Sequence, residues 1–296
     1  MKSTYLILLF LISLFNLQAQ ENEISNSFVG LKEFILVDSS RTDPYYGGLR
    51  VIHVRVYYPA KRIENESKEV GYYMMIEEAF DSLENWTKGN LDLVNGISTG
   101  VYYDLEIKNG RFPLILFSPA LGSNVSLYHH YFKELASNDL IVIAINHLYE
   151  SEYVIMPDSS CILADLTFHD QLKSRKINKS FSGDDYRKIK MERQAVLAED
   201  MSFALEMVEN KDFFRGHIME DNLAVFGHSF GAAAAIYQAY YSDNIRAVAD
   251  LDGTPPSIAF ENGIDSGRPD VHTWWMHGQH QVAQMLENGR ECHGNG

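Results

Sequence analysis

The sequence predicts an α/β fold in which a mostly parallel central sheet is covered by helices on both faces. Two continuous apolar runs, residues 112–118 and 140–146, lack the alternation of a strand with one solvated face. Such runs are typical of parallel strands that are buried on both faces. The segment between them, residues 127–137, suits a crossover helix. The length agrees, since 296 residues with 46% hydrophobic and 22% charged side chains can bury one large core.

Further elements are expected on either side of these strands. An alternating segment at 51–58 closes on Pro59 and predicts a strand of an antiparallel edge hairpin that precedes the main sheet. Residues 192–209 have the periodicity of a long amphipathic helix, and residues 245–252 predict another strand. The polar stretch 148–191 is predicted to be an insertion outside the core, either a lid over the site or a solvated loop.

The pentapeptide Gly-His-Ser-Phe-Gly at 227–231 is the most informative segment of the chain. An apolar, strand-like segment at 222–226 precedes it, and an alanine-rich stretch of high helix propensity follows it. A chain that turns sharply from strand to helix leaves no room for side chains two residues from the apex, where both glycines stand. This pattern makes Ser229 a candidate nucleophile and the N–H of Phe230 a candidate oxyanion donor. An ordinary strand–helix turn is the alternative.

A serine hydroxyl becomes a good nucleophile only beside a general base that is oriented by a carboxylate. Asp252 ends the strand predicted at 245–252 and is our candidate for that carboxylate. The carboxyl ends of parallel strands lie at the same end of a sheet, so its side chain can reach the site. Asp250 is the fallback, and capping of the following turn is the structural alternative. The tight loop 118–123 offers the N–H of Leu121 as a second oxyanion donor, with a plain β–α turn left open.

These segments resemble the type II platelet-activating-factor acetylhydrolases, with dienelactone-hydrolase-like proteins as neighbours. The resemblance covers about residues 30–258, and its specific part is the serine pentapeptide together with the spacing to the aspartate. The residues that carry it are 57–59, 117–122, 135–137, 141–144, 227–232 and 251–252. One departure lies in the loop after the first apolar strand, where the family commonly has His-Gly and this chain has Pro119 and Ala120. Donation by the backbone survives that change.

The resemblance implies an α/β-hydrolase fold and a metal-free serine esterase that acts on short sn-2 acyl groups of phospholipids. It implies that Ser229 is the nucleophile, Asp252 the triad acid, and Leu121 and Phe230 the oxyanion donors. The α/β-hydrolase domain is expected over residues 20–265. A generic carboxylesterase or dienelactone-like hydrolase is one rival reading, and an inactive hydrolase-fold protein that binds a ligand or partner is another.

The catalytic histidine is not assigned by the sequence. The family places it after further sheet, whereas the segment 266–296 is polar and shows no apolar strand of the expected kind. His280 resembles the family's histidine locally but comes too early. The other histidines of this segment are His272, His277 and His293. The sequence therefore predicts an atypical tail, a chain truncated or replaced after about residue 265, and weak or absent activity. His147 and His228 are interpreted as structural hydrogen-bonding residues near the site.

The N-terminus predicts export. Residues 1–19 combine one positive charge, a short apolar run and a small residue at the end, which is typical of a cleaved signal peptide. A membrane-spanning helix needs about 20 apolar residues, so a retained anchor is the weaker alternative. We expect a secreted or periplasmic protein. Cys161 and Cys292 make no disulfide framework, and whether they pair is left open.

The net charge of the chain restricts the classes of molecule that it can bind. A formal net charge of −15 argues against nucleic acid and against electrostatic docking on anionic lipid. It is compatible with a neutral or zwitterionic ester, and transient contact with a lipid surface is left open, as is the oligomeric state. The histidines of the tail have no recognised metal-ligand spacing, so no metal or other cofactor is expected.

Overall fold

A mixed eight-stranded sheet forms the centre of the computed structural model. The structure describes residues 27–44, 46–62, 67–71, 96–156, 160–165, 167, 183–253 and 272–276. The strands of this sheet are β1 (Phe28–Thr42), β2 (Leu49–Ala60), β3 (Val101–Tyr103), β4 (Phe112–Ser118), β5 (Ile141–His147), β8 (Ile218–His228), β9 (Ile245–Leu251) and β10 (His272–Met276). A separate two-stranded sheet pairs β6 (Tyr153–Ile155) with β7 (Cys161–Leu163). The large sheet has the order β10-β9-β8-β4-β5-β2-β1-β3.

The two strands predicted to be parallel and buried on both faces, β4 and β5, lie in the parallel part of the sheet. Strands β5, β4, β8, β9 and β10 pair in parallel, each with the next. The hairpin of β1 and β2 is antiparallel, as expected, but it does not form the edge. Instead β2 pairs with β5, and β1 also pairs in parallel with β3, which covers its outer side.

Helices lie on both faces of the sheet. They are a short 3-10 helix (Val125–Tyr128), α1 (His129–Ser137), α2 (Gly183–Glu209) and α3 (Phe230–Tyr241). Alternate residues of β5 go to opposite faces: Ile143 and Ile145 pack in the cluster that contains α2 and α3, whereas Val142 and Ala144 pack in the cluster that contains α1. Burial on both faces explains why β5 has no polar alternation, and the predicted α/β fold is confirmed.

The helix predicted over 192–209 begins earlier than expected. In the structure α2 starts at Gly183 and takes up the end of the segment 148–191, while β6 and β7 form a small antiparallel pair near its beginning. The first turns of α2 are polar, and Asp185 and Arg187 are exposed there. A solvated helical face carries no apolar periodicity, so the sequence pattern missed this part of the helix.

The absence of a strand in the tail 266–296 was a wrong expectation. β10 lies there and pairs in parallel with β9, with Trp274 opposite Ala249. Its sequence, His-Thr-Trp-Trp-Met, is short and rich in residues that favour strands. Such a segment is stabilised by the edge of the sheet it joins, which local pattern does not reveal. His277, His280, His293, Cys292 and the proposed signal peptide lie outside the described residues. Within the described residues, no helix is long and apolar enough to span a bilayer.

Candidate active site

Ser229 lies at a sharp turn between the end of β8 and the start of α3. Its backbone has φ 52° and ψ −111°, a conformation that a residue with a side chain rarely adopts. The Ser229 N–H donates to the carbonyl oxygen of Leu251 at 2.9 Å, which fastens the turn to the end of β9. The serine is exposed. The predicted strand–turn–helix segment is present, and its apex faces outward.

Both glycines of the pentapeptide are required by close packing. A Cβ atom on Gly227 would lie closer than 3.0 Å to backbone atoms of Gly231 and Ala232. A Cβ atom on Gly231 would come equally close to the carbonyl oxygens of Ser118 and Pro119. The backbone of the loop after β4 therefore rests directly against the start of α3.

The loop after β4 keeps most of its N–H groups occupied. Ala120 donates to the hydroxyl of Tyr128 at 3.3 Å, and Gly122 donates to the carbonyl oxygen of Glu150 at 2.8 Å. The N–H of Leu121, between them, donates to no atom of the residues that the structure describes. This loop thus has a backbone donor that is available to a ligand.

The side chain of Leu121 ties this loop to α3, the helix that follows the turn at Ser229; we call this turn, residues 227–231, the elbow. It packs in a small apolar cluster with Phe230 and Leu197. Phe230 begins α3 and is buried. The two predicted oxyanion donors therefore belong to residues whose side chains share one cluster.

The two candidate carboxylates are placed differently. Asp252 follows the last residue of β9, has φ 53° and is exposed. Asp250 is 1% exposed, and its Oδ1 accepts the N–H of Gly253 at 2.6 Å. Asp252 lies beyond the last residue of β9, and its left-handed backbone ends the alternation of the strand.

The histidines nearest the elbow act as hydrogen-bonding residues, as interpreted. Nδ1 of His228 lies 2.7 Å from the hydroxyl of Tyr128. Burial lowers the pKa of His228, and the carboxylates of Asp252 and Asp250 partly oppose that effect. The hydroxyl of Tyr128 therefore links the elbow to the loop after β4.

His147 lies deeper and belongs to a group that sequence reasoning did not single out. Its Nε2 lies 3.0 Å from Oγ of Ser118, and its Nδ1 lies 2.9 Å from Oδ2 of Asp200. A signal for Asp200 exists in the sequence: it stands among the apolar residues of α2, next to Met201, and a carboxylate on a buried helix face needs partners. No group of three or more His, Cys, Asp or Glu side chains that could hold a metal ion occurs in the part of the chain that the structure describes.

Comparisons with known proteins agree with this architecture. Residues 43–213, more than half of the chain, match the sequence model of the family described as platelet-activating factor acetylhydrolase, isoform II. A platelet-activating factor acetylhydrolase of Canis lupus familiaris is 26% identical over 271 residues, which cover 81% of this chain and 58% of that protein. The chain thus spans less than two thirds of that relative.

A solved structure, a ferulic acid esterase from Streptomyces cinnamoneus, has a TM-score of 0.64 at 20% identity. The match covers 86% of this chain and 73% of that chain. This likeness, together with the largely parallel sheet and helices on both faces, shows the α/β-hydrolase fold. On the strength of the family match, the chain belongs to the isoform II family of platelet-activating factor acetylhydrolases.

Proposed function

We propose that the protein is a serine hydrolase of carboxylic esters that removes short sn-2 acyl groups from phospholipids. The observation that carries this proposal is the exposed Ser229 at the strained turn between β8 and α3. Such backbone strain persists only where the surrounding packing enforces it, and it is typical of a nucleophile at a strand–helix turn. Membership of the acetylhydrolase family supports phospholipid esters as the substrate class.

In the proposed reaction, Oγ of Ser229 attacks the ester carbonyl carbon while a general base takes the hydroxyl proton. The carbonyl oxygen becomes an oxyanion, which accepts hydrogen bonds from the N–H groups of Leu121 and Phe230. Collapse of this intermediate breaks the bond to the lysophospholipid alcohol, which takes the proton from the base. Water then attacks the acyl-enzyme by the same route and releases the short acid.

The assignment of Leu121 is supported by the loop itself. Its neighbours Ala120 and Gly122 have their N–H groups bound elsewhere, so Leu121 is the residue with a donor to offer. Packing of the Leu121 side chain with Phe230 keeps the two donors on adjoining backbone segments. Donors fixed before the reaction stabilise developing charge without a cost of reorganisation.

Asp252 is the proposed carboxylate that orients the base. It stands at the end of the strand next to β8 and is exposed, whereas Asp250 is buried and engaged by Gly253. His228 is not assigned as the base, because its Nδ1 contacts Tyr128. We propose that the base comes from the histidines outside the described residues, with His280 as the candidate.

Two measurements on the full chain test the proposal. The first is release of acetate or palmitate from phosphatidylcholines that carry one or the other at sn-2, with p-nitrophenyl acetate as a general ester. The second is covalent labelling by a fluorophosphonate, which reacts with activated serines. We expect preferential release of acetate and a label that maps to Ser229.

Substitutions decide between the outcomes. Ser229→Ala should remove both turnover and label, whereas Ser202→Ala, a serine on α2 whose hydroxyl bonds to Ala198, should retain them. Equal release of both acyl groups would indicate a general carboxylesterase. A wild-type chain that neither hydrolyses esters nor accepts the label would indicate a hydrolase-fold binding protein instead.

A further inference from the structure

A second serine–histidine–aspartate group lies beneath the candidate active site. Ser118, His147 and Asp200 are joined by hydrogen bonds of 3.0 Å and 2.9 Å. All three are at most 1% exposed. An ester cannot reach Oγ of Ser118 in this arrangement, so the group is not a second nucleophilic site. We call these three residues the buried relay.

We propose that the buried relay is a positioning device for the loop after β4, residues 118–122. It holds this loop in the conformation in which Leu121 N–H faces the oxyanion. The inference rests on the proposed function of Ser229 and deepens it, since Ser118, His147 and Asp200 act here through the backbone of the loop rather than on the substrate.

The hydrogen bond between His147 and Asp200 has a defined direction. Burial would raise the pKa of Asp200, but hydrogen bonds and charge from His147 and Arg50 outweigh burial and lower this pKa to about 2. The ionised carboxylate can only accept, so Nδ1 of His147 carries the proton that it donates to Asp200. Nε2 of the same ring lies 3.0 Å from Oγ of Ser118. These two contacts fix the orientation of the His147 and Ser118 side chains.

His147 is linked to both ends of the loop, to one directly and to the other through Glu150. Its ring binds Ser118, the first residue of the loop. Its carbonyl oxygen accepts the N–H groups of Glu150 at 3.1 Å and Ser151 at 2.9 Å, which closes a tight turn. The carbonyl oxygen of Glu150 in turn accepts the N–H of Gly122, at the far end of the loop. A shift of His147 would therefore move both ends.

Two arginines of the β1–β2 hairpin anchor the carboxylate of Asp200. Arg50, 1% exposed, donates Nε and Nη2 to the two carboxylate oxygens at 3.1 Å and 2.6 Å. Arg41 adds a third donor at 3.1 Å, and Arg50 also binds Asp43 at 2.6 Å. Removing one partner from such a buried ionic group leaves an uncompensated charge. The β1–β2 hairpin thus fixes the carboxylate on which the relay depends.

The buried relay is connected to the site at Ser229 through the backbone of the loop after β4. The carbonyl oxygens of Ser118 and Pro119 rest against Gly231 so closely that a Cβ atom there would overlap them. The loop and the first turn of α3 are therefore in direct backbone contact. A displacement of Ser118 changes the spacing between the N–H groups of Leu121 and Phe230, and oxyanion donors act only at hydrogen-bonding distance.

Amide hydrogen exchange on the full chain tests the positioning role without requiring turnover. We expect the Gly122 amide to exchange about 10-fold faster in Ser118→Ala and in His147→Asn, with the amides of β4 unchanged. Ser202→Ala and His53→Asn are the controls, since Ser202 bonds within α2 and His53 is a buried histidine whose Nδ1 lies 3.0 Å from the side-chain nitrogen of Asn146. Ser118→Ala keeps the test valid if His147→Asn does not fold. Unchanged exchange at Gly122 in folded Ser118→Ala overturns the proposal.

Kinetics separate a positioned oxyanion site from a general loss of structure. We expect Ser118→Ala to lower kcat for an ester by about 10-fold with KM unchanged, as the loss of a well-placed donor does. The matching thionoester, whose sulfur is a weak acceptor, should lose less, so the ester-to-thionoester ratio falls. An unchanged ratio counts against the relay and leaves Ser229 untouched. Turnover that survives in Ser229→Ala instead removes the proposed function.

Discussion

Two serines at the ends of neighbouring parallel strands have opposite environments in this protein. Ser118 ends β4, pairs with Gly227 across the sheet and is fully buried. Ser229 comes immediately after β8, has a positive φ and is exposed. Because β4 and β8 are parallel neighbours, both serines lie at the end of the sheet where these strands terminate. Backbone conformation and exposure decide which hydroxyl can meet a substrate.

The difference shows what a histidine and a carboxylate do in each setting. In the buried relay, His147 and Asp200 satisfy polar groups that would otherwise be costly to bury. At the elbow, the strained turn presents an oxygen outward, where a base and Asp252 would activate it. The same residue types stabilise structure in one place and are proposed to perform chemistry in the other.

The sharpest contrast is expected from removing each hydroxyl. Ser229→Ala should lower ester turnover by at least about 10⁴-fold, because the nucleophile is lost. Its free energy of unfolding should stay within about 0.5 kcal/mol of wild type, as is usual for an exposed side chain. Ser118→Ala should lose about 1 kcal/mol of stability, since it removes a buried hydrogen bond. Urea unfolding and initial rates measure both. A stability loss at Ser229 larger than that at Ser118 would invert the comparison.

The second contrast concerns the carboxylates after β9. Asp252→Asn should reduce kcat by about 10²- to 10⁴-fold, because a base that is wrongly oriented does not accept the serine proton. Asp250→Asn should mainly lower stability, since its Oδ1 holds the N–H of Gly253. Rates and melting temperatures of both variants check this. Equal loss of activity in the two, or loss only at Asp250, would remove Asp252 from the proposed triad.

A substitution at Gly231 can strain the contact between the loop after β4 and the first turn of α3. Gly231→Ala places a methyl group against the carbonyl oxygens of Ser118 and Pro119, and should cost about 1–3 kcal/mol of stability as well as ester turnover. Gly216→Ala is the comparison, because a Cβ there meets nothing within 4 Å and its cost comes from the positive φ of that position, which Gly231 does not have. Wild-type rates and stability in Gly231→Ala would show that the loop and elbow are not in tight contact.

The smallest expected effect is a dependence of stability on acid. The pKa of Asp200 is about 2 in the folded chain, below the usual value near 4. A lowered carboxyl pKa contributes stability above the unfolded value, and this contribution is lost as the pH falls from about 4 towards 2. The stability difference between wild type and Asp200→Asn should therefore be constant from pH 5 to 7 and narrow below about pH 4. Urea unfolding at each pH checks this, and a difference that persists unchanged to pH 2.5 would contradict it.

Much of the fold followed from local pattern. The apolar runs at β4 and β5 predicted buried parallel strands because burial on both faces removes polar alternation. The glycines around Ser229 predicted the sharp turn because a Cβ atom has no room there. The sequence pattern missed the start of α2, because solvated helical turns have no apolar periodicity. It also missed β10, because a short edge strand is stabilised by pairing with its neighbour.

Three features could be predicted from the amino-acid sequence: the strand–turn–helix at Ser229, the position of Asp252 after the next strand, and the resemblance to the acetylhydrolase family. These depend on residues close together in the chain, where packing and backbone geometry restrict the choice of side chain. The contacts of His147 with Ser118 and Asp200, and of Arg50 with the Asp200 carboxylate, became visible only in the folded chain. The partners come from β2, β4, β5 and α2, and a polar side chain in a buried segment gives no local sign of which distant group will satisfy it.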